Sequence, residues 1–578
     1  MLLRTSLVAT MAMLSFPALG TPSILPPEVQ WQDQRKGDVH HDEWDTSTES
    51  SGFQSSPTYT AAIDFLSRLS KASPLISLHR FGETSQGRGI FYAKASKGGS
   101  PRPTVLIQAG IHAGEIDGLD AGLMLLRDIA VRGRADLLDA VDVVFIPVLN
   151  VDGHAAASPL GRPSQRGPAQ KGTRTNSQGL DLNRDYARIE SPEARAVVGL
   201  LHQLDPALYI DVHASDGTDY QYDVTWAFAG WGTYARSRST ADWLMSAYSR
   251  DIKDALVAAG NVPAVYPSWV NEDSPSQGLR ISVESPRYST GYGDFIGVPT
   301  VLIENHRFKG YRQRVLGTYA FMEQSLRTVS RDASAIEQAK VADRAMRPPN
   351  IAVRWERDPV PLEYREFQTY RYDDYISSAS GARELLWTGQ SEVQRLPVFG
   401  TRVTESAPLP IAWLIPPGNQ NIVDLLHTHH IITEPVPGDR TTRVELVRMA
   451  NGLQRTGFNR SQAIVQLPAG TLRVPTDQPL RLLAAALLEP SSQDSILAMG
   501  WYDRALPAES PLPRHLLAPL ADEMMKSNAD LRAEFEVTLA SNPAFAADPQ
   551  ARLRWWEVRS AYGERTFWTY PVLSQREL

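Results

Sequence analysis

The chain has 578 residues, a formal net charge of −7 and no cysteine. Such a length exceeds what one hydrophobic core supports and predicts two to four domains. The mildly acidic balance, without a run of basic residues, argues against nucleic acid or an anionic membrane as the main partner. Because no disulfide can form, stability must come from the size of the buried core.

The first twenty residues have the pattern of a secretory signal peptide. Arg4 precedes the apolar stretch LVATMAMLSFPAL, and the small residues Ala18 and Gly20 lie at the cleavage position. The apolar stretch is shorter than the roughly 20 residues that a membrane span needs. We therefore expect residues 1–20 to be removed and the mature protein to be periplasmic or secreted, with no membrane segment left. Residues 21–55 predict an irregular lead-in, because they are rich in Pro, Ser and Asp.

Four apolar runs rich in Val and Ile follow, as expected for strands that are buried on both faces of a sheet. They are TVLIQAG (104–110), VDVVFIPVLN (141–150), ALYIDVHA (207–214) and PTVLIEN (299–305). Segments 119–130 and 191–204 predict helices, the second with Ser191 as its N-cap and Pro192 in its first position. Alternating strands and helices predict a doubly wound α/β fold with a mostly parallel central sheet and helices on both faces.

The pattern changes after a long helical stretch over residues 312–345, which ends at the two prolines of RPPN. Two prolines in succession cannot continue a helix, so a domain boundary is expected near residue 346. Residues 350–578 predict a smaller mixed α/β accessory region that is rich in strands at first and helical towards its end.

Polar side chains lie at the end of each of the four predicted strands, where ligands bind in open α/β sheets. They are His112 with Glu115, Asn150 with Asp152, His213, and Glu304 with Asn305 and His306. Two imidazoles and one carboxylate, from His112, Glu115 and His213, are the three-ligand set of a catalytic zinc site whose fourth position is left to water. An H-x-x-E pair alone, however, is more often part of a solvated loop.

The segments GIHAGE, NVDG, TRTNSQGLDLNRDY, DVHA and LIEN, in this order, resemble the zinc carboxypeptidase family of carboxypeptidase A-like metallopeptidases. The resemblance covers roughly residues 55–330, so residues 56–346 are interpreted as the catalytic domain. It implies that His112, Glu115 and His213 bind one Zn²⁺ per chain. The accessory region resembles one found in some secreted bacterial members, and no role follows for it.

The same resemblance implies roles for five further residues. Asp181 would orient the first ligand histidine. Asn183 and Arg184 would bind the free C-terminal carboxylate of a peptide substrate. Arg174 would stabilise the oxyanion that develops on the scissile carbonyl, and Glu304 would be the general base.

Two positions of the family pattern are not settled by the sequence. Tyr288 and Tyr292 both lie upstream of Glu304, where the family supplies a mobile tyrosine over the substrate terminus, and the spacing does not decide between them. Either tyrosine could equally be part of an aromatic wall. Gly114 stands where many members carry an arginine that contacts the substrate, so that contact is not expected here.

Other interpretations of single residues stay open. Apart from the resemblance, Arg184 would be interpreted as the partner of Asp181 or Asp185 in a structural ion pair. A second group of histidines in LLHTHHI lies outside the motif-bearing segment, and packed or surface histidines are commoner than metal ligands. The histidines of this group are His427, His429 and His430.

The sequence therefore predicts a zinc-dependent metallocarboxypeptidase that hydrolyses C-terminal amino acids from peptides by a zinc-activated water, with Glu304 as general base. One alternative is a zinc amidase or deacylase that acts on cell-wall peptides or acylated amino acids. An alternative from another class is a non-catalytic peptide-binding protein on the same scaffold, which the presence of every ligand and of the base disfavours. The preferred C-terminal side chain and the oligomeric state do not follow from the sequence.

Overall fold

The computed structural model of the chain describes residues 25–26, 28, 30–31, 42–215, 217–438, 440–449, 458–501, 513–560 and 569–577. The predicted signal peptide, residues 1–20, lies outside the described residues and stays a prediction. Among the described helices, none is both long enough and apolar enough to cross a bilayer.

The first part of the chain is built on one large sheet. Its strands are β1 (Ile76–Glu83), β2 (Gly89–Ala95), β3 (Thr104–Gln108), β4 (Asp142–Ile146), β5 (Leu208–Ala214), β6 (Val224–Ala227), β7 (Pro263–Val265), β8 (Leu279–Arg280) and β9 (Thr300–Asn305). All except β8 form an eight-stranded sheet in the order β1-β2-β4-β3-β5-β9-β6-β7. The central neighbours β4, β3, β5 and β9 run parallel, whereas β2 and β6 pair antiparallel with them. The predicted mostly parallel central sheet is confirmed.

Helices cover both faces of this sheet. They are α1 (Ser47–Ser50), α2 (Tyr59–Ala72), α3 (Asp117–Val131), α4 (Val151–Ala155), α5 (Pro192–Leu204), α6 (Arg238–Trp243), α7 (Ser249–Ala258), α8 (Ser289–Ile296) and α9 (Tyr311–Ala345). Successive side chains of a strand point to opposite faces. Accordingly, Val105 and Ile107 pack in the core formed with α2, α3, α7 and α9, whereas Leu106 packs in the core formed with α5 and α8. The predicted doubly wound arrangement is confirmed.

The rest of the chain is rich in strands and then helical, as predicted. Its elements are β10 (Asn350–Ile376), β11 (Arg383–Pro408), β12 (Ala412–Ile415), α10 (Gln420–Thr428), β13 (Glu434–Pro435), β14 (Thr441–Met449), β15 (Phe458–Gln466), β16 (Leu472–Pro475), α11 (Arg481–Leu488), α12 (Arg514–Ser527), α13 (Ala529–Ser541), α14 (Pro543–Ala547), α15 (Pro549–Arg559) and β17 (Leu573–Gln575). Strands β10 and β11 form a long antiparallel hairpin, and β11 also pairs with β8. The other strands form a six-stranded sheet.

The accessory region shares a hydrophobic core with the central sheet. Leu106 of β3 and Val197 of α5 belong to the same buried cluster as Trp413 of β12 and Leu487 of α11. A cluster that spans both parts cannot be divided without exposing apolar surface to water. We therefore expect the two parts to unfold together.

Truncating one side chain of this shared core should destabilise the whole chain. Leu487 is fully buried, so Leu487→Ala should lower the free energy of unfolding by about 2–5 kcal/mol, the usual effect of a cavity of this size. The measurement is denaturant unfolding followed by a signal from each part of the chain. Leu516→Ala on α12 is the matched control, because Leu516 is 56% exposed and its loss should change the free energy by less than about 0.5 kcal/mol. Two separate transitions, with only one shifted by Leu487→Ala, would contradict the shared core.

Candidate metal centre and substrate cavity

The carboxyl ends of three neighbouring strands converge on one edge of the central sheet. The loop between β3 and α3 carries His112 and Glu115, β5 carries His213 next to its last residue, and β9 carries Glu304. In the pairing of β5 with β9, His213 lies directly opposite Glu304. Parallel strands end at the same edge, so residues that are far apart in the chain meet here.

Three of these side chains form a compact group of metal donors. One donor atom each from His112, Glu115 and His213 lies within 4.8 Å of the other two. The carboxylate oxygens of Glu115 lie 3.2 Å from His112 Nδ1 and 3.1 Å from His213 Nδ1. All three residues are buried. Two imidazole nitrogens and one carboxylate are the donor set that zinc prefers in catalytic sites, so the residues present fit this metal.

Each candidate ligand histidine contacts a carboxylate through Nε2, whereas its Nδ1 lies beside Glu115. His112 Nε2 lies 3.0 Å from Asp181 Oδ1, and His213 Nε2 lies 2.9 Å from Asp211 Oδ2. A hydrogen bond at Nε2 fixes the ring orientation and leaves the Nδ1 lone pair for a metal. Burial opposes ionisation of Asp211, but the adjacent His213 imidazole holds the pKa of that carboxyl below its ordinary value. Likewise, the pKa of Asp181 lies below its usual range despite burial, chiefly because of its hydrogen bond to His112.

Sequence reasoning predicted Asp181 but missed Asp211. Asp211 stands two residues before His213 in β5, so both side chains lie on the same face of the strand. Its carboxylate also accepts a hydrogen bond from Gln108 Nε2 at 2.9 Å. The two-residue spacing between Asp211 and His213 was the sequence signal that could have identified Asp211.

Arg162 contacts the metal site directly and was also missed. Its guanidinium lies 2.7 Å from Glu115 Oε1, while the backbone N–H of Ala214 donates to Glu115 Oε2 at 2.9 Å. Burial alone would raise the pKa of Glu115, but Arg162 and His112 hold it well below its ordinary value. The carboxylate is thus kept charged, as a metal ligand must be.

The position of Arg162 explains the glycine that departs from the family pattern. A Cβ atom on Gly114 would lie 2.5 Å from Arg162 Cδ and 2.5 Å from the carbonyl oxygen of Gly172. No side chain fits in that space. Arg162 therefore occupies the volume beside the metal site that a side chain at position 114 would need.

The metal donors open into a cavity of about 490 Å³. The predicted site residues that line it are His112, Glu115, Arg174, Asn183, Arg184, His213, Tyr288 and Glu304. Asp181 lies behind His112 and holds Arg174 as well, because Arg174 Nε donates to Asp181 Oδ2 at 2.9 Å. The cavity thus combines metal donors with further carboxylates and several arginines.

Arg184 is not part of the structural ion pair that the sequence left open. Its guanidinium donates to the carbonyl oxygen of Asn183 at 2.8 Å and lies 4.5 Å from the centre of the Tyr288 ring. No described carboxylate lies within ion-pair distance of it. Asp185 instead accepts hydrogen bonds from the N–H and hydroxyl of Ser191, at the start of α5.

The structure separates the two tyrosines between which the sequence could not decide. Tyr288 lines the cavity at the start of α8. Tyr292, one turn further, is fully buried, and its hydroxyl lies 2.9 Å from both His429 Nδ1 and His202 Nε2. The suggestion that Tyr292 contacts substrate is therefore wrong, because its helix turns this side chain into the core rather than into the cavity.

The histidine group of the accessory region serves packing. His429 is buried between Tyr292 and the carbonyl oxygen of Ala187, which its Nε2 contacts at 3.0 Å. His430 stacks on the His202 ring, with 4.5 Å between the ring centres. Within the described part of the chain, the only cluster of candidate metal donors is the one at the sheet edge.

Residues 62–261 match the sequence model of the zinc carboxypeptidase family. This matched segment, about a third of the chain, is a zinc carboxypeptidase-family segment and contains the three candidate metal donors. The whole chain is 22% identical over 494 residues to Carboxypeptidase 2 of Trichophyton tonsurans, covering 77% of this chain and 84% of the relative. It is 33% identical over 115 residues to Carboxypeptidase A1 of Homo sapiens, covering 19% and 27% of the two chains.

A solved structure, the metallo-carboxypeptidase from Burkholderia cenocepacia, is 19% identical with a TM-score of 0.36, over 47% of this chain and 69% of that one. That likeness is too low to carry an argument, so the metallopeptidase assignment rests on the matched segment. The family match contains the three candidate ligands and the segment from Arg174 to Arg184 but ends before Tyr288 and Glu304. For these last two residues, position in the cavity is the observation that links them to the metal donors.

Proposed function

We propose that this chain is a zinc carboxypeptidase that binds one Zn²⁺ and releases the C-terminal residue from peptides. The observation that carries the proposal is a single cavity that holds the three metal donors, Glu304 and Arg184 together. Hydrolysis by a metal-activated water needs a metal and a base, whereas recognition of a free chain end needs a cation for its carboxylate. The cavity offers residues for both tasks.

His112, Glu115 and His213 would hold the metal. Zinc, when bound by such a set, lowers the pKa of a water molecule to about 7 and polarises a carbonyl group. The contacts from Asp181 and Asp211 would orient the two imidazoles, and the N–H of Ala214 would orient Glu115.

Glu304 would accept the proton of the attacking water and deliver it to the leaving amine. Its side chain is 8% exposed and lines the same cavity as the donors. Its backbone is fixed from both sides, because β9 pairs with β5 and with β6, and the Thr225 hydroxyl donates to the Glu304 carbonyl at 2.9 Å. A base on such rigid backbone keeps its position through both proton transfers.

Arg174 and Arg184 would bind two different negatively charged groups of the substrate. Arg174, held by Asp181, would donate to the oxyanion that develops on the scissile carbonyl. Arg184 would pair with the terminal carboxylate, a contact for which a guanidinium supplies parallel donors. Asn183 would assist, because the N–H of Ser289 donates to its Oδ1 at 2.9 Å and so orients its amide.

Removing the Arg184 guanidinium should greatly weaken cleavage of peptides with a free C-terminus. Loss of one partner of a desolvated charge pair costs about 2–5 kcal/mol, so Arg184→Ala should lower kcat/KM by roughly 30- to 4,000-fold. Amidating the peptide removes the other partner, so the two changes should be non-additive. The measurement is kcat/KM of parent and variant on free and amidated forms of one peptide.

Arg188→Ala is the matched control, because Arg188 pairs with Glu190 on the surface rather than lining the cavity. It should leave kcat/KM on both peptide forms unchanged. If the parent cleaves amidated and free peptides equally well, and Arg184→Ala does not change that ratio, selection of a free C-terminus is refuted. An amidase or deacylase activity on the same metal centre would then take its place.

A further inference from the structure

The accessory region supplies part of the wall of the substrate cavity. Trp355 of β10 and Gln493, which follows α11, line this cavity together with the metal donors. Both residues lie beyond residues 62–261, the segment that matches the family sequence model. The accessory region therefore borders the site at which a substrate would bind, and contacts between the two parts of the chain can affect that site.

One ion pair joins the accessory region to the cavity wall. The guanidinium of Arg287 contacts Asp494 Oδ1 twice, through Nε at 2.8 Å and through Nη2 at 2.7 Å. Its Nη2 also donates to the carbonyl oxygen of Gln493 at 3.0 Å. Arg287 lines the cavity, whereas the side chain of Asp494 is 4% exposed and is not part of the cavity wall. Asp494 can therefore affect a substrate only through the residues that it holds.

Asp494 belongs to a segment that is fixed to the core. Ile496 and Leu497 are buried in the cluster that the central sheet shares with α11. The N–H of Ile496 donates to the carbonyl oxygen of Leu487 at 2.9 Å. The N–H of Asp494 itself donates to the Ser492 hydroxyl at 3.3 Å. A carboxylate on such a segment is a rigid anchor for a guanidinium.

A second guanidinium, that of Arg236, lies near Asp494 but does not pair with it. Arg236 interacts with the charge of Asp494 at longer range. Its Nη1 donates to the Glu284 carbonyl oxygen at 3.0 Å and lies 3.6 Å from Asp294 Oδ2. Among the described residues, Asp494 is the only carboxylate within ion-pair distance of Arg287. The Asp494 carboxylate is thus the group that fixes the Arg287 side chain by charge.

The two residues after Arg287 contact the pair proposed to bind the terminal carboxylate. The ring of Tyr288 lies 4.5 Å from the Arg184 guanidinium, and the N–H of Ser289 donates to Asn183 Oδ1 at 2.9 Å. Three successive residues therefore contact the accessory region, Arg184 and Asn183 in turn. A displacement of the first would move the other two, because the peptide bonds that join them are rigid.

The backbone of Arg287 also contacts the segment that carries this pair. The N–H of Tyr186, two residues after Arg184, donates to the Arg287 carbonyl oxygen at 3.3 Å. Arg184 has no carboxylate of its own within ion-pair distance among the described residues, as noted above. Its position therefore depends on the contacts that its neighbours make with residues 287–289.

We propose that Asp494 is a positioning residue for substrate binding: by holding Arg287, it keeps Arg184 and Asn183 in the arrangement that binds the terminal carboxylate. This inference rests on the proposed carboxypeptidase activity. It gives the accessory region a part in recognition of the substrate. The groups that contact the end of the peptide are held in place by a carboxylate from outside the catalytic domain.

The first test is steady-state kinetics of Asp494→Asn on free and amidated forms of one peptide. Misplacement of a positioning group by about 1 Å can cost about 10²-fold, so kcat/KM on the free peptide should fall by about 10- to 100-fold. The change should be in KM, because the terminal carboxylate is bound equally in the ground state and the transition state. Cleavage of the amidated peptide and zinc content should be unchanged.

A double-mutant cycle shows whether Asp494 acts through the carboxylate site. In Arg184→Ala the contact to the terminal carboxylate is already lost, so adding Asp494→Asn should lower kcat/KM by less than about 3-fold. Arg287→Gln removes the other partner of the ion pair. It should reproduce the loss on the free peptide, and Asp494→Asn should add little to it.

Glu489→Gln is the matched control. Glu489 is also buried in the accessory region and pairs with Arg460, but it is not part of the cavity wall. Its replacement should lower the melting temperature about as much as Asp494→Asn does, because each change removes one charge from a buried ion pair. It should leave kcat/KM on both forms of the peptide unchanged.

Thermal unfolding shows which variants are folded, and Arg287→Gln carries the same test if Asp494→Asn alone is unfolded. The inference is overturned by full kcat/KM in the folded variants, by equal losses on free and amidated peptides, or by an undiminished effect in Arg184→Ala. Unfolding of both variants would show a purely structural pair and overturn it as well. Each of these results leaves the proposed function intact, whereas a parent that does not distinguish free from amidated peptides overturns the proposed function and the inference with it.

Discussion

Replacing His213 by alanine should remove both the metal and the activity. With only His112 and Glu115 left, the site would have two protein donors, fewer than the three that catalytic zinc sites use. We expect about one zinc per chain in the parent and almost none in His213→Ala, with hydrolysis reduced to the level of a chelated sample. Elemental analysis of the purified protein, in parallel with turnover of a free-ended peptide, measures both quantities.

His79→Ala is the matched control for this change. His79 is exposed on β1, with its Nε2 2.8 Å from the Ser77 hydroxyl, and lies outside the cavity. Its removal should change neither zinc content nor turnover. Full activity of the parent after the metal has been stripped would refute a metal-dependent mechanism.

Glu304→Gln should separate the binding of substrate from its hydrolysis. Glutamine has nearly the same shape as glutamate but cannot accept the proton of the attacking water. General base catalysis contributes about 10²- to 10⁴-fold, so kcat should fall by a factor in that range. Zinc content should be retained, because Glu304 is not among the metal donors, and KM should change little.

Pre-steady-state binding of a slowly hydrolysed peptide to Glu304→Gln provides the check on affinity. If binding is retained while kcat falls, Glu304 acts in the chemical step. A kcat within a few-fold of the parent would show that another group takes the proton. A loss of zinc together with activity would instead mean that Glu304 supports the metal site.

The central architecture was predictable because local patterns decide it. The apolar runs 104–110 and 207–214 became β3 and β5, and the segment after Ser191 became α5 with Pro192 in its first turn. Continuous apolar character, capping residues and proline act within a few positions of the chain. Such signals predict a strand or a helix from the local sequence alone, without knowledge of the tertiary contacts.

The candidate metal donors were predictable for a related reason, since each lies at the end of a recognisable strand or in the loop after it. Arg162 was not predictable, because it belongs to an irregular segment, and contacts across the fold set its position. Arg162 reaches Glu115 from a loop with no periodic pattern. Tyr292 was misplaced because the sequence does not show on which side of α8 the cavity lies.

The pairing of β5 with β9 has a consequence for how the enzyme can change over evolutionary time. His213 and Glu304 are neighbours across a hydrogen-bonded ladder, in which strands are spaced by about 4.8 Å and a slip of one residue would turn a side chain to the opposite face. Substitutions, insertions and deletions in the surrounding loops leave that spacing unchanged. Changes in the loops around the cavity can therefore alter its shape while His213 and Glu304 keep their positions relative to each other.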